Sequence, residues 1–259
     1  MRRAIQITFL TLFILSACEE GHQPVQPQSL VQISTINALM TGVYDGETTL
    51  QELSGRGDFG IGTFNALDGE MVLHNGAFCQ IKSDGSINKP HEQTMTPFAT
   101  VTFFEPEISF DLSASSYPEL KSTLDNLLQS PNLFYAIRID CTMNYIKTRS
   151  VPAQSKPYPP LVEITATQPE FEASHISGTL LGFYCPSFVS GVNVPGYHLH
   201  FLSDNEAFGG HVLEFDMEKG VLSLDQIADF RVSLPEDGDF LINNVSEDMS
   251  EDLSAMEGK

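Results

Sequence analysis

The amino-acid sequence predicts an α/β (α+β) protein in two subdomains, the first mixing helices with strands and the second built mostly of strands. Three observations carry this. Apolar spacing is helical from Ile33 and changes to a period of two after Gly57. One longer amphipathic stretch, Tyr117 to Gln129, is followed by strand-like runs. A segment holding four prolines, 152–160, then separates these from a second half of short alternating runs.

The elements follow in order. Ile33, Ile36, Leu39, Met40 and Val43 lie on helical spacing, with Ser34 or Thr35 near the start and Asp45-Gly46 as the break. Thr48-Thr49-Leu50 opens a second short helix that stops at Gly55 and Gly57. Phe59 to Phe64 reads as a strand, and Asn75-Gly76 joins 70–74 to 77–82 as a hairpin. Phe98 to Glu105 is another strand. Leu120, Leu124, Leu127 and Leu128 share one helical face behind Pro118. Strands are expected around 133–139 and 144–151. Four more, at 176–184, 196–203, 211–216 and 228–234, favour an antiparallel barrel or sandwich. These give a first subdomain over 30–151, a proline-rich connection over 152–160 and a second subdomain over 161–242. The tail, 243–259, is acidic and weakly patterned, and reads as disordered on composition.

Thirty-four acids against 13 bases give a formal charge of −21. Such a surface repels phosphate backbones, which argues against nucleic-acid binding. Its plain meaning is a well-solvated exterior. Residues 1–17 read as a signal peptide: Arg2 and Arg3, an apolar run from Ile5 to Leu15, then small Ser16 and Ala17. Cys18 follows directly, as in the lipobox of bacterial lipoproteins, so export with a lipid anchor at the cell envelope through Cys18 is expected. Residues 18–29 read as a flexible tether. Cys79, Cys141 and Cys185 are far apart without CxxC spacing, so no thiolate metal site is implied.

The chemistry concentrates in Tyr197-His198-Leu199-His200-Phe201. On a strand, alternation places both imidazoles on one face. Asp204-Asn205 and Gly209-Gly210 turn the chain, and His211 opens the next strand. If these strands pair, three imidazoles converge with a fourth position open, the pattern of a catalytic zinc. With seven histidines in the chain, an H-x-H pair arises readily by chance, and the third histidine one hairpin away sharpens the signal.

The run from Tyr197 to Leu213 resembles the zinc segment of α-acetolactate decarboxylases. Four further stretches are similar to the family's N-terminal half: 32–40 (QISTINALM), 42–46 (GVYDG), 57–70 (GDFGIGTFNALDGE) and 96–99 (TPFA). Two more, 147–154 (KTRSVPAQ) and 157–161 (PYPPL), are similar to its central segment. The resemblance covers about residues 30 to 240 in unbroken order. It implies zinc on His198, His200 and His211, an active-site glutamate at Glu70 and an active-site arginine at Arg149. It also implies a glutamate returned from the tail, best matched by Glu257, with Glu251 and Glu247 competing. On residue type alone, Glu70 reads as a hairpin-surface carboxylate and Arg149 as a solvated cation; the surrounding motifs reverse that.

The resemblance further implies a mixed sheet with helices, then a mostly antiparallel β-barrel carrying the zinc, in a homodimer. The implied reaction converts 2-acetolactate, a 2-hydroxy-3-keto acid, to (R)-acetoin and carbon dioxide, without an organic cofactor. Two other readings share the histidines: a zinc hydrolase with Glu70 as base, and a non-catalytic binding module displayed at the surface.

Overall fold

The computed structural model describes residues 28–257. Strand β1 (Ser29–Ile33) leads to helix α1 (Ile36–Met40), short strand β2 (Thr48–Thr49) and helix α2 (Leu50–Ser54). A meander follows of β3 (Phe59–Thr63), β4 (Glu70–His74), β5 (Ala77–Ile81) and β6 (Ile87–Asn88). Next come β7 (Met95–Thr96), β8 (Ala99–Thr102), β9 (Ile108–Ala114) and the longest described helix, α3 (Tyr117–Asp125). Long strand β10 (Phe134–Arg149), helix α4 (Leu161–Thr165) and β11 (Glu170–Cys185) precede β12 (Gly196–Ser203) and β13 (Gly209–Ile227). Strand β14 (Asp229–Ser233) and helix α5 (Ser250–Met256) end the described chain.

Local chemistry accounts for the boundaries. Thr35 caps α1, its side chain accepting from the Ala38 N–H, so the residues before it are free to be strand. The helical spacing expected from Ile33 therefore begins three residues later. Thr49 and Glu52 form a reciprocal capping box on α2. Asn75 and Gly76 both take positive φ, 51° and 76°, which suits the tight β4–β5 hairpin.

The fold is mixed α+β and mostly strands. Seven strands form one sheet in the order β14-β1-β8-β3-β4-β5-β6. It is mixed because β1 runs parallel to β14 and antiparallel to β8. The second sheet has the order β10-β11-β12-β13-β9, and β10 pairs with β13 as well. Four strands thus close a ring where a barrel over 161–242 was expected. Its closure depends on β10, a strand of the expected first subdomain.

The proline-rich segment 152–160 is consequently no boundary between the sheets. Strands β9 and β10 join the second sheet, while β14 crosses back to the edge of the first. Of the expected tether over 18–29, Ser29 already belongs to β1 and Gln28 hydrogen-bonds to the Phe103 carbonyl at 2.7 Å. Residues 18–27 and the signal-like stretch 1–17 lie outside the described residues. The acidic tail forms α5, with Leu253 and Met256 buried. Among the described residues no helix is long and apolar enough to cross a membrane.

The two sheets pack face to face through Phe59, Ile61 and Val72 on one side and Leu181 and Phe183 on the other. The Phe59 and Phe183 rings meet edge-on at 5.7 Å. Strand β4 abuts β12 and β13 at this junction, which brings Glu70 beside the histidines.

Candidate functional site

Alternation along β12 buries Tyr197, Leu199 and Phe201 in the core of the second sheet. His198 and His200 face the other way. His200 is the register partner of His211 on β13, so all three imidazoles meet. Their ring centroids are 5.2 Å (198–200), 4.9 Å (198–211) and 5.5 Å (200–211) apart. One ligand nitrogen from each lies within 4.8 Å of the others, a spacing that can hold one metal ion.

Close backbone approach makes this convergence possible. Arg149 on β10 is the register partner of His211. At Gly210, with φ of +132°, a Cβ would lie 2.4 Å from the Arg149 carbonyl oxygen. Only glycine lets β10 and β13 pair there.

The second ring nitrogen of His200 is also assigned. Its Nδ1 lies 3.0 Å from the Met71 carbonyl oxygen, which can only accept, so Nδ1 carries the hydrogen. Nε2 is then a lone-pair nitrogen, buried and without a hydrogen-bond partner. Burial holds the His200 pKa well below the ordinary imidazole value, assisted by His198 and Arg149. A neutral, oriented imidazole with an orphaned nitrogen is the form that binds a metal. The residues present therefore fit a metal ion.

Glu70, Arg149 and Glu257 surround the triad. The Glu70 carboxylate is buried with Oε2 3.6 Å from His200 Nε2. Desolvation pushes its pKa up to about 7; Arg149 opposes the rise and Glu257 adds to it. Arg149 is buried, and its Nη1 donates to Gln168 Oε1 at 2.7 Å. Its Nε has no hydrogen-bond partner among the described residues. Glu257 ends α5 with Oε1 3.8 Å from Arg149 Nη2 and Oε2 3.8 Å from His211 Nε2. Of the tail glutamates, Glu257 is the one at the triad; Glu247 and Glu251 are exposed.

These groups line a cleft of about 540 Å³, including space open to solvent, walled by Ile36, Leu39, Phe98, Leu253 and Met256. Sequence reasoning missed Gln168, which has no local signature. It missed α5 too, although Met249, Leu253 and Met256 stand at helical spacing. Cys79, Cys141 and Cys185 are buried and do not line this cleft.

The alpha-acetolactate decarboxylase family profile matches residues 30–247. The alpha-acetolactate decarboxylase of Methylococcus capsulatus is 46% identical over 238 residues, covering 92% of this chain and 90% of that protein. That of Methanosarcina mazei is 48% identical over 229 residues, covering 88% and 80%. The crystal structure of alpha-acetolactate decarboxylase from Bacillus subtilis strain 168 superposes with a TM-score of 0.87 at 38% identity, covering 89% of this chain and 100% of that one. The chain is an enzyme and belongs to the alpha-acetolactate decarboxylase family.

Proposed function

We propose that the chain decarboxylates 2-acetolactate to (R)-acetoin and carbon dioxide, with zinc held by His198, His200 and His211. The observation that carries the metal is the buried Nε2 of a neutral His200, without a hydrogen-bond partner among the described residues, converging with two further imidazoles. When bound there, zinc supplies an electrophile for the oxygen on which charge develops as carbon dioxide leaves.

The remaining roles fall to the protein's own groups. Arg149 is the receptor for the substrate carboxylate: Gln168 fixes its Nη1, leaving the Nε–H for an anionic oxygen. Its charge offsets the chain's general acidity at the place where an anion must enter. Carbon must gain one proton for each carbon dioxide lost. Glu70, with a pKa near 7, can carry that proton at neutral pH and deliver it from one side. The apolar walls exclude bulk water, which would protonate either face. Glu257 sets the charge balance between Arg149 and His211.

Export, lipidation of Cys18 at the cell envelope and assembly as a homodimer complete the proposal. The lipobox-like run before Cys18 supports the first two, and kinship with the family supports the third. The function is tested by adding 2-acetolactate to the purified protein and resolving the product by chiral chromatography. (R)-acetoin at one zinc per chain is the expected outcome; racemic acetoin at the uncatalysed rate contradicts it. Labelled fatty acid should enter the wild type in cells and not Cys18→Ser.

A further inference from the structure

The tail segment that leads to Glu257 is anchored at α5, which buries Leu253 and Met256. Between β14 and α5 the chain exposes Leu234, Leu241 and Ile242, so apolar burial contributes little to its course. Beside the Lys156–Asp239 ion pair at 3.7 Å, three of its polar anchors reach α1 and its C-cap. The buried Asn37 side chain donates from Nδ2 to the Val245 carbonyl at 3.1 Å and to the Glu247 carbonyl at 2.8 Å. Asn243 returns the contact, its Nδ2 donating to the Thr41 carbonyl at 3.2 Å. Asn37 is itself fixed from behind: its N–H donates to the Gly191 carbonyl at 3.3 Å. Gly191 has φ of +80°, and a Cβ there would lie 3.2 Å from Asn37 Nδ2. Its helix neighbours Ile36 and Leu39 line the cleft.

We infer that Asn37 is a positioning residue for the decarboxylation: its amide fixes the backbone at 245 and 247, so that α5 sets Glu257 against Arg149 and His211. The inference rests on the proposal that Glu257 works at the site. Asn37 has the same reach as aspartate but opposite polarity. In Asn37→Asp an oxygen would face the two tail carbonyls, and both hydrogen bonds would be lost.

The test is kinetic, on the zinc-loaded full chain. Asn37→Asp should lower kcat on the order of tenfold to a hundredfold, the scale expected for a displaced catalytic group. KM and zinc content should change little. Hydrogen exchange should rise across 243–257. Combined with Glu257→Gln, the variant should be no slower than Glu257→Gln alone, because the tail then has nothing to deliver. Should Asn37→Asp fail to fold, Asn37→Ser, which is too short to reach the tail, takes its place in the same comparison. Wild-type kcat, unchanged exchange in the tail, or losses that multiply in the double variant each overturn the inference. If Glu257→Gln alone keeps the wild-type rate, the role given to Glu257 falls, and this inference falls with it.

Discussion

His200 and Met71 are joined across the two sheets: the imidazole Nδ1 on β12 meets the carbonyl oxygen on β4 at 3.0 Å. One sheet thereby fixes the tautomer of a ligand carried by the other. Replacing His200 with alanine leaves that carbonyl without its partner and the triad with two nitrogens. Zinc affinity should fall by roughly a hundredfold or more, since even outer-shell partners of metal ligands are worth 10–100-fold. Metal analysis after dialysis, with circular dichroism to show retained fold, checks it.

Arg149 offers a planar fork that lysine cannot reproduce. Arg149→Lys keeps the charge but loses the contact with Gln168 and the Nε–H. Its kcat/KM should drop by about 10- to 100-fold, the equivalent of one charge-assisted hydrogen bond of about 1.5–3 kcal/mol. Steady-state kinetics on 2-acetolactate measures it. An undiminished kcat/KM removes Arg149 from carboxylate recognition.

Glu70 makes the metal-free protein sensitive to pH. Its folded pKa of about 7 lies above the ordinary carboxylate value of 4.5, so the folded state binds this proton more tightly than the unfolded state. Stability therefore falls as pH rises through that window, and the full penalty is present above about 7. In chelator-treated protein, Glu70→Gln should be more stable than wild type at pH 8, by up to about 3 kcal/mol. The gap should nearly close at pH 5. Urea unfolding at the two pH values is the measurement, and a gap that widens toward acid contradicts the sign.

Gly210 sits where a Cβ would strike the Arg149 carbonyl at 2.4 Å, and that oxygen is backbone. Gly210→Ala should cost about 2 kcal/mol or more of stability, from strain and lost pairing together. Because His211 is the next residue, metal occupancy should fall in the same variant. A thermal melt and a zinc titration read the two effects separately.

The histidine site was legible because its information is local. H-x-H on a strand fixes two imidazoles by alternation alone, and one turn brings the third. Glu70 and Arg149 carried no such signal and depended on the motifs around them. Arg149 meets His211 only because β10 pairs with β13, two strands remote in sequence. No local spacing encodes that register, and for the same reason the ring of four strands was not foreseen. The tail misled through composition: its acidity masked the apolar spacing of Met249, Leu253 and Met256, which docks α5 on the cleft wall. Gln168 is one polar residue among many until Arg149 is seen beside it.

The proposed decarboxylation stands or falls with a metal held by the three histidines. Its most direct test is acetoin formation from 2-acetolactate by zinc-loaded wild type and by His198→Ala, with bound zinc measured in the same samples. One zinc per chain and rapid (R)-acetoin formation are expected in the wild type, with both lost in the variant. Full acetoin production by a folded, zinc-free His198→Ala protein would contradict it.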